Sequence, residues 1–209
     1  QVYQYQFNGF PDYPKYGVWH DGYYGTVNLN GQTTQGFVME RDQMLSGGPA
    51  PQILIFNLPQ IVINPNQVKS PEPASLLGTA YNPDAPGYIT YLQDDGWTGA
   101  ITFDHLKVWE INVDWVDVNN STISSPLELA TDPFDAGELF GNGNGAIRQP
   151  GTSQRLAGHG GIISFPAYYR QFEGHNSWLI TFNTFIDNNE TGGIRWIELR
   201  NDATNDWSI

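Results

Sequence analysis

Apolar and polar residues alternate with period two along most of the chain, and a 3.6-residue pattern is nearly absent. Tyr3, Tyr5 and Phe7 alternate with Gln4 and Gln6, which predicts an opening strand. Strands follow over 24–29 and 35–39, joined through Asn30-Gly31, a dipeptide suited to a hairpin turn. One helical turn fits 42–45, ahead of the Gly47-Gly48-Pro49 break, and the apolar run 52–57 reads as a buried strand. Pro65, Pro71 and Pro73 mark 64–75 as a loop. Strands are predicted again over 75–81, 87–93, 106–115 and 121–129, the last interrupted near Pro126. In 106–115, Trp109, Ile111, Val113 and Trp115 share one face and Glu110, Asn112 and Asp114 the other, the pattern of a half-buried strand. A long turn-rich loop fills 131–153 around Gly141-Asn142-Gly143-Asn144-Gly145. Strands over 161–171, 177–186 and 193–199 complete the pattern, with a turn at 187–190 and a last strand fragment at 207–209.

This predicts a single all-β domain over 1–209. Three groups, approximately 10–60, 75–130 and 155–209, each end on a strand with an acid beside a large apolar residue: Met39-Glu40, Trp109-Glu110 and Ile197-Glu198. Such repetition predicts a β-propeller-like fold with three to four blades, as a segment of a longer chain; a β-sandwich is the alternative. The repeats lie 70 and 87 residues apart by Met39, Trp109 and Trp196, so insertions must lengthen blades that ordinarily take about 40–50 residues.

Composition narrows the chemistry. Of 209 residues, 22 are acidic and 9 are Lys or Arg, a formal net charge of −13, which disfavours nucleic acid and anionic membrane as partners. With no cysteine, disulfides, thiolate metal sites and a cysteine nucleophile are excluded. Neither a signal peptide nor a transmembrane run is evident in these residues.

The most distinctive stretch is Phe10–Asn28, read as a proline-braced aromatic loop running through Asp21-Gly22 into a strand. Within it, Asp12-Tyr13-Pro14-Lys15-Tyr16-Gly17-Val18-Trp19-His20-Asp21-Gly22-Tyr23-Tyr24 resembles the DYPKxGVWPDGYY-type motif of an uncharacterised sialidase-like β-propeller domain family found in large exported bacterial proteins. The resemblance continues through Phe37 to Leu45, Leu106 to Trp115, Gln149 to Gln154, Tyr169 to Ser177 and Gly193 to Arg200, in order along nearly the whole chain. His20 stands where that family has proline. The resemblance implies a secreted or surface module within a longer polypeptide, serving binding, adhesion or structural assembly. A glycan or another surface protein is then the expected partner. A sialidase-like glycoside hydrolase and a self-associating surface protein are the alternatives.

A sialidase needs an arginine cluster, a tyrosine–acid pair and an aspartate. Arg41, Arg170, Arg195 and Arg200, Tyr13, Tyr16 and Tyr23, and Asp21 and Glu110 supply the types, yet no spacing singles them out. The arginines are equally suited to cross-strand pairing with Glu40, Glu173 and Glu198. The S-x-D-x-G-x-T-W box of sialidase blades, the G-x-S-x-G elbow and zinc spacing among His20, His105, His159 and His175 are all absent. The candidate ligand-binding residues are Trp19, His20, Asp21, Trp97, Arg170, His175 and Arg195, with Trp97 read as exposed in its Gly96-Trp97-Thr98-Gly99 turn. Hard oxygen donors on turns make Ca²⁺ the one candidate cofactor, with Asp132, Asp135, Asp187, Asn189 and Glu190 as ligands and Asp94-Asp95-Gly96 as a further cluster. Asp and Asn also favour such turns through local hydrogen bonds alone.

Overall fold

Residues 2–31, 34–64, 70–136, 147–164, 166–187, 191–202 and 206–209 are described by a computed structural model. It is all-β, with strands running as follows. The first four, β1 (Pro11–Val18), β2 (Gly22–Leu29), β3 (Gln35–Glu40) and β4 (Ile53–Asn57), form an antiparallel meander in sequence order. One helical turn, α1 (Arg41–Leu45), separates β3 from β4. The remaining strands are β5 (Glu72–Leu77), β6 (Gly87–Gln93), β7 (His105–Asn112), β8 (Thr122–Ile123), β9 (Leu127–Ala130), β10 (Ala167–Phe172), β11 (His175–Phe185) and β12 (Gly192–Asn201). They make one curled sheet in the order β12-β11-β10-β5-β6-β7, with β8 and β9 both paired to β7. Every pairing is antiparallel except β5 with β10.

The predicted loop at 10–18 is therefore a strand. Tyr13 has φ 49°, and the register slips by one residue between Asp12 and Lys15, so Tyr13-Pro14 forms a bulge. A bulge leaves its extra residue outside the ladder, which is how Pro14 enters a strand without breaking it. Asp21-Gly22 then closes the hairpin as expected, Trp19 N–H donating to Gly22 O at 2.9 Å. Other departures have equally local causes. Residues 3–7 form no strand; Tyr3 and Tyr5 instead donate their hydroxyls to the Met44 and Pro51 carbonyls. The loop expected to Ser75 ends at Glu72, where β5 begins despite Pro73. Pro126 splits the predicted strand 121–129 into β8 and β9.

The three groups do not stay separate. The first closes on itself as a four-stranded meander, but the second and third are joined by the parallel β5–β10 pair into one continuous sheet. The structure thus bears out an all-β fold; its sheets also suit a sandwich-like description. β7 is buried on both faces over most of its length. Trp109 and Ile111 lie in the core, but so do Leu106 and Val108 on the opposite face, and even His105 and Lys107 are buried. The half-buried reading holds only beyond Ile111; on the face of Lys107 and Trp109, 58–62 crosses over the strand. Trp109 Nε1–H donates to Pro59 O at 3.0 Å, and the Lys107 ammonium donates to Gln60 O.

A single apolar cluster joins both sheets, from Trp19, Tyr24 and Val38 through Ile89, Leu92 and Trp109 to Trp178, Ile180 and Phe182. β1 lies so close to β5 that a Cβ on Gly17 would sit 2.2 Å from Ala74 O. Beside that contact Lys15 Nζ meets Glu72 Oε2 at 2.7 Å, with both side chains at most 4% exposed. The same ammonium donates to Ile163 O. Burial lowers the Lys15 pKa and raises that of Glu72, and their mutual attraction opposes both shifts. Removing one partner leaves an uncompensated buried charge. Glu72→Ala is expected to cost about 3–5 kcal/mol in urea denaturation, and Lys15→Met/Glu72→Leu to recover most of that loss. Equal stability of Glu72→Ala and the wild type would contradict this role.

Candidate functional site

A cleft of about 350 Å³ opens where the loop before β6 meets the β10–β11 turn and the end of β12. Its floor is aromatic. Tyr88 (β6) and Tyr169 (β10) lie nearly parallel, with ring centroids 5.9 Å apart at 20°. Trp19 meets Tyr169 edge-on at 4.7 Å, and Trp207 meets Tyr88 edge-on at 5.3 Å. Edge-to-face packing of this kind fixes the rings in orientation as well as depth. Trp178 closes the set beneath Tyr88 at 5.9 Å.

The rim is polar: Asn82, Asp84, Gln171, His175, Asn201 and Asp202 line the mouth. Gly174, at φ 86°, makes the tight turn that puts Phe172 and His175 side by side, their rings stacked at 5.1 Å and 13°. Asn176 Nδ2–H donates to Asn201 Oδ1 at 2.8 Å, which ties β11 to β12 at the cleft edge. Gln171 Oε1 is buried at the cleft and has no hydrogen-bond partner among the described residues. Such an orphaned acceptor carries the desolvation cost of its lost water without compensation.

The motif at 19–21 builds this cleft from behind. His20 Nε2 lies 2.9 Å from Ala85 O, and Trp19 Nε1–H donates to the same carbonyl at 3.3 Å. His20 also stacks on Tyr81 at 5.4 Å and 3°. Both residues thus hold the loop that carries Asn82 and Asp84, and a proline at position 20 would offer no ring nitrogen to Ala85. Asp21 is one step removed: its Oδ2 accepts from the Tyr24 hydroxyl at 3.2 Å, and its carbonyl accepts from Trp115 Nε1 at 2.8 Å. Burial raises the Asp21 pKa above the usual carboxylate value.

The other candidates divide. His175 lines the cleft, and Arg170 sits beside it with its guanidinium 5.0 Å from the Phe172 ring centroid. Trp97 does not belong: it is 6% exposed and packs on Tyr91 in the core, because the Trp97 N–H and Gly96 N–H bonds to Asp94 fold the turn inward. Arg195 lies elsewhere on β12, donating to Asp132 O and Pro133 O at 2.8 and 3.0 Å. Arg41 bonds to His20 O and pairs with Asp42. Opposite Arg170 in the ladder is Ser177, and opposite Arg195 is Phe182, five positions along β11. Arg41, Arg170 and Arg195 therefore form no common anion clamp, and none of them lines the cleft. The expected cross-strand arginine pairs are absent too: Arg200 meets Glu198 on its own strand at 2.9 Å, and Glu40 accepts from Gln52 N–H. Sequence reasoning missed Gln171, Asn201, Tyr88 and Tyr169; only their membership of strand ends could have flagged them.

Of the proposed calcium ligands, Asn189 and Glu190 lie outside the described residues. Asp132 and Asp135 offer their carbonyls to protein donors, Asp135 O accepting from Phe185 N–H and the Thr184 hydroxyl. Asp187 Oδ1 accepts from Thr191 N–H at 3.1 Å. Among the described residues, the carboxylates that do converge are Asp94, Asp95 and Asp104, within 4.8 Å of one another. There each oxygen of Asp94 and Asp104 already takes a backbone N–H, from Gly96, Ala136, Asp95 and Phe134. The set staples 134–136 onto the β6–β7 turn and fits that role better than a cation needing about 6–8 oxygens.

Compared with protein-family models, curated proteins and solved structures, the chain matches none.

Burial raises the Tyr169 phenol to about 12 and Tyr88 higher still, so both stay protonated donors at neutral pH. A raised folded pKa adds stability that is full below the unfolded value of 10.0 and is lost as pH rises through the folded one. Unfolding free energy is therefore expected to fall between pH 10 and 12, and Tyr169→Phe to flatten that slope in denaturant titrations. An unchanged slope in the variant would show that Tyr169 ionises as freely folded as unfolded.

Proposed function

We propose that this chain is a non-catalytic binding module of the sialidase-like propeller type, carried by a secreted or surface protein, and that its cleft takes a neutral sugar. In this reading the β1–β4 meander corresponds to one four-stranded blade. The observation that carries the ligand class is Gln171 at an aromatic-floored cleft, its Oε1 buried and without a hydrogen-bond partner among the described residues. Turning the Gln171 amide outward lets a hydroxyl-rich ligand satisfy it while laying apolar C–H faces against Phe172, which is 43% exposed. Amide and carboxylate rim groups suit hydroxyl donors and acceptors alike. Asp84 and Asp202 at the rim, on a chain of net charge −13, disfavour an anionic sugar.

Calorimetric titration against neutral and sialylated oligosaccharides tests this. Saturable binding of a neutral oligosaccharide is expected, weakened about tenfold or more by Gln171→Leu, equivalent to about 1.4 kcal/mol. His175→Ala is expected to weaken it less. Preference for the sialylated ligand, or hydrolysis of either, would overturn the reading.

A further inference from the structure

The loop that carries Asn82 and Asp84 to the cleft is hung in place rather than packed. It leaves β5 at Leu77, opposite Arg170 of β10, and runs to the start of β6. Residues 78–84 are exposed throughout. Among the described residues, their hydrogen bonds are local: Asp84 N–H donates to Asn82 Oδ1 at 3.0 Å, and Ala85 N–H to Asn82 O at 3.1 Å. The tip is therefore a small turn with its own internal ties. Before it, Gly78 at φ 86° stands in open space, with no atom within 4 Å of where a Cβ would be. After it, the chain is fixed at Gly87, where a Cβ would fall 2.2 Å from the Tyr24 ring.

Two rings hold this tip down. The Ala85 carbonyl accepts from Trp19 Nε1–H at 3.3 Å and lies 2.9 Å from His20 Nε2. A carbonyl oxygen only accepts, so Nε2 carries the proton of this bond and both lone pairs of the oxygen are engaged. His20 also lies flat on Tyr81, with ring centroids 5.4 Å apart at 3°. It thus grips the turn on both sides, at Tyr81 before it and at Ala85 after it. His20 is itself set by the hairpin that Trp19 N–H closes on Gly22 O at 2.9 Å.

We infer that His20 is a positioning residue for the cleft: it latches 78–86 as a hinged wall, and the affinity of the cleft depends on that latch. The affinity rests on the sugar-binding reading above, whereas the latch stands without it. With the latch engaged, Asn82 and Asp84 are at the rim before a ligand arrives. With it released, the wall has to be ordered during binding, and that cost is taken from the affinity.

Two substitutions separate the hydrogen bond of the ring from its stacking. His20→Phe keeps a ring on Tyr81 and loses the N–H; His20→Gln keeps an N–H at similar reach and loses the ring. Hydrogen–deuterium exchange of the ligand-free protein is expected to run about fivefold faster over 78–86 in His20→Phe, the factor for one lost hydrogen bond. It should stay near the wild-type rate in His20→Gln, with β2 and β6 unchanged in both. In calorimetric titration with the neutral oligosaccharides, His20→Phe is expected to bind about fivefold more weakly and His20→Gln nearly as well as the wild type. Unchanged exchange over 78–86 in His20→Phe overturns the latch. Equal acceleration of β2 and β6 overturns it in favour of a purely stabilising role. Faster exchange over 78–86 with undiminished affinity overturns the dependence of the cleft on it. Faster exchange in His20→Phe, restored in His20→Gln, in a protein that binds no sugar supports the latch and removes the sugar reading instead.

Discussion

A lysine and a glutamate withdrawn from water stand where the two sheets meet, and the remaining architecture is arranged about that contact. Lys15 belongs to the first meander and Glu72 opens the second sheet, so their 2.7 Å approach ties one to the other. The Ile163 carbonyl completes the ammonium's partners and brings in the segment leading to β10. An isolated ion of this kind would be expelled or neutralised by its desolvation cost. Three separate stretches of chain must therefore arrive together for any of them to be tolerated there. Close backbone packing reinforces the demand: Gly17 meets Ala74 with no room for a Cβ, and Thr26 donates its hydroxyl to Pro71 O at 2.7 Å.

The cleft inherits its geometry from this junction. With β1 pinned to β5, the end of β1 carries Trp19 over β6 and β10, where it meets Tyr88 and Tyr169. The parallel β5–β10 ladder, with Ala167 opposite Ala74 and Arg170 opposite Leu77, sets how far β10 projects. That projection places Gln171 and Phe172 at the rim. His20, one residue on, reaches the Ala85 carbonyl because Trp19 is already seated. The 19–21 motif is a scaffold: its side chains hold the cleft's walls from behind, and the groups that line the cleft come from other strands.

Much of the fold was legible because it rests on local rules. Period-two alternation located β2, β3, β6 and β11 closely, and Pro126 broke its strand where a missing N–H must. What was illegible depends on distant chain. Nothing in Pro11-Asp12-Tyr13-Pro14 announces a bulged strand, since the bulge exists only through pairing with β2. Lys107 reads as a surface residue by type although it shares a face with Trp109 and Ile111, and Glu128 on β9 and the Gln60 carbonyl pair its charge there. Trp97 reads as exposed from its glycine neighbours, and is drawn inward by hydrogen bonds to Asp94, a residue the turn itself contains. The cleft was legible mainly through its supports, with His175 the one lining residue singled out. Trp19, His20 and His175 stood out by type, whereas Gln171 and Asn201 became visible only once β10 and β12 were seen to end at the same place.

The distribution of charge joins the interior to the surface. Lys15 and Lys107 are buried in ion pairs, so two of the nine basic side chains contribute nothing to the exterior. Their partners differ: Glu72 is fully buried, while Glu128 remains 40% exposed. Three of the six arginines are taken up locally, Arg195 by two carbonyls, Arg41 by Asp42 and Arg200 by Glu198. The net charge is accordingly negative, and among the described residues no Lys or Arg lines the cleft, while Arg170 beside it lies against Phe172. A ligand that carries its own negative charge would meet that charge at the Asp84 and Asp202 rim before reaching any donor. A neutral ligand would cross it without that penalty and would find hydrogen-bonding groups and an aromatic floor already in position, and such preorganisation lowers the cost of binding.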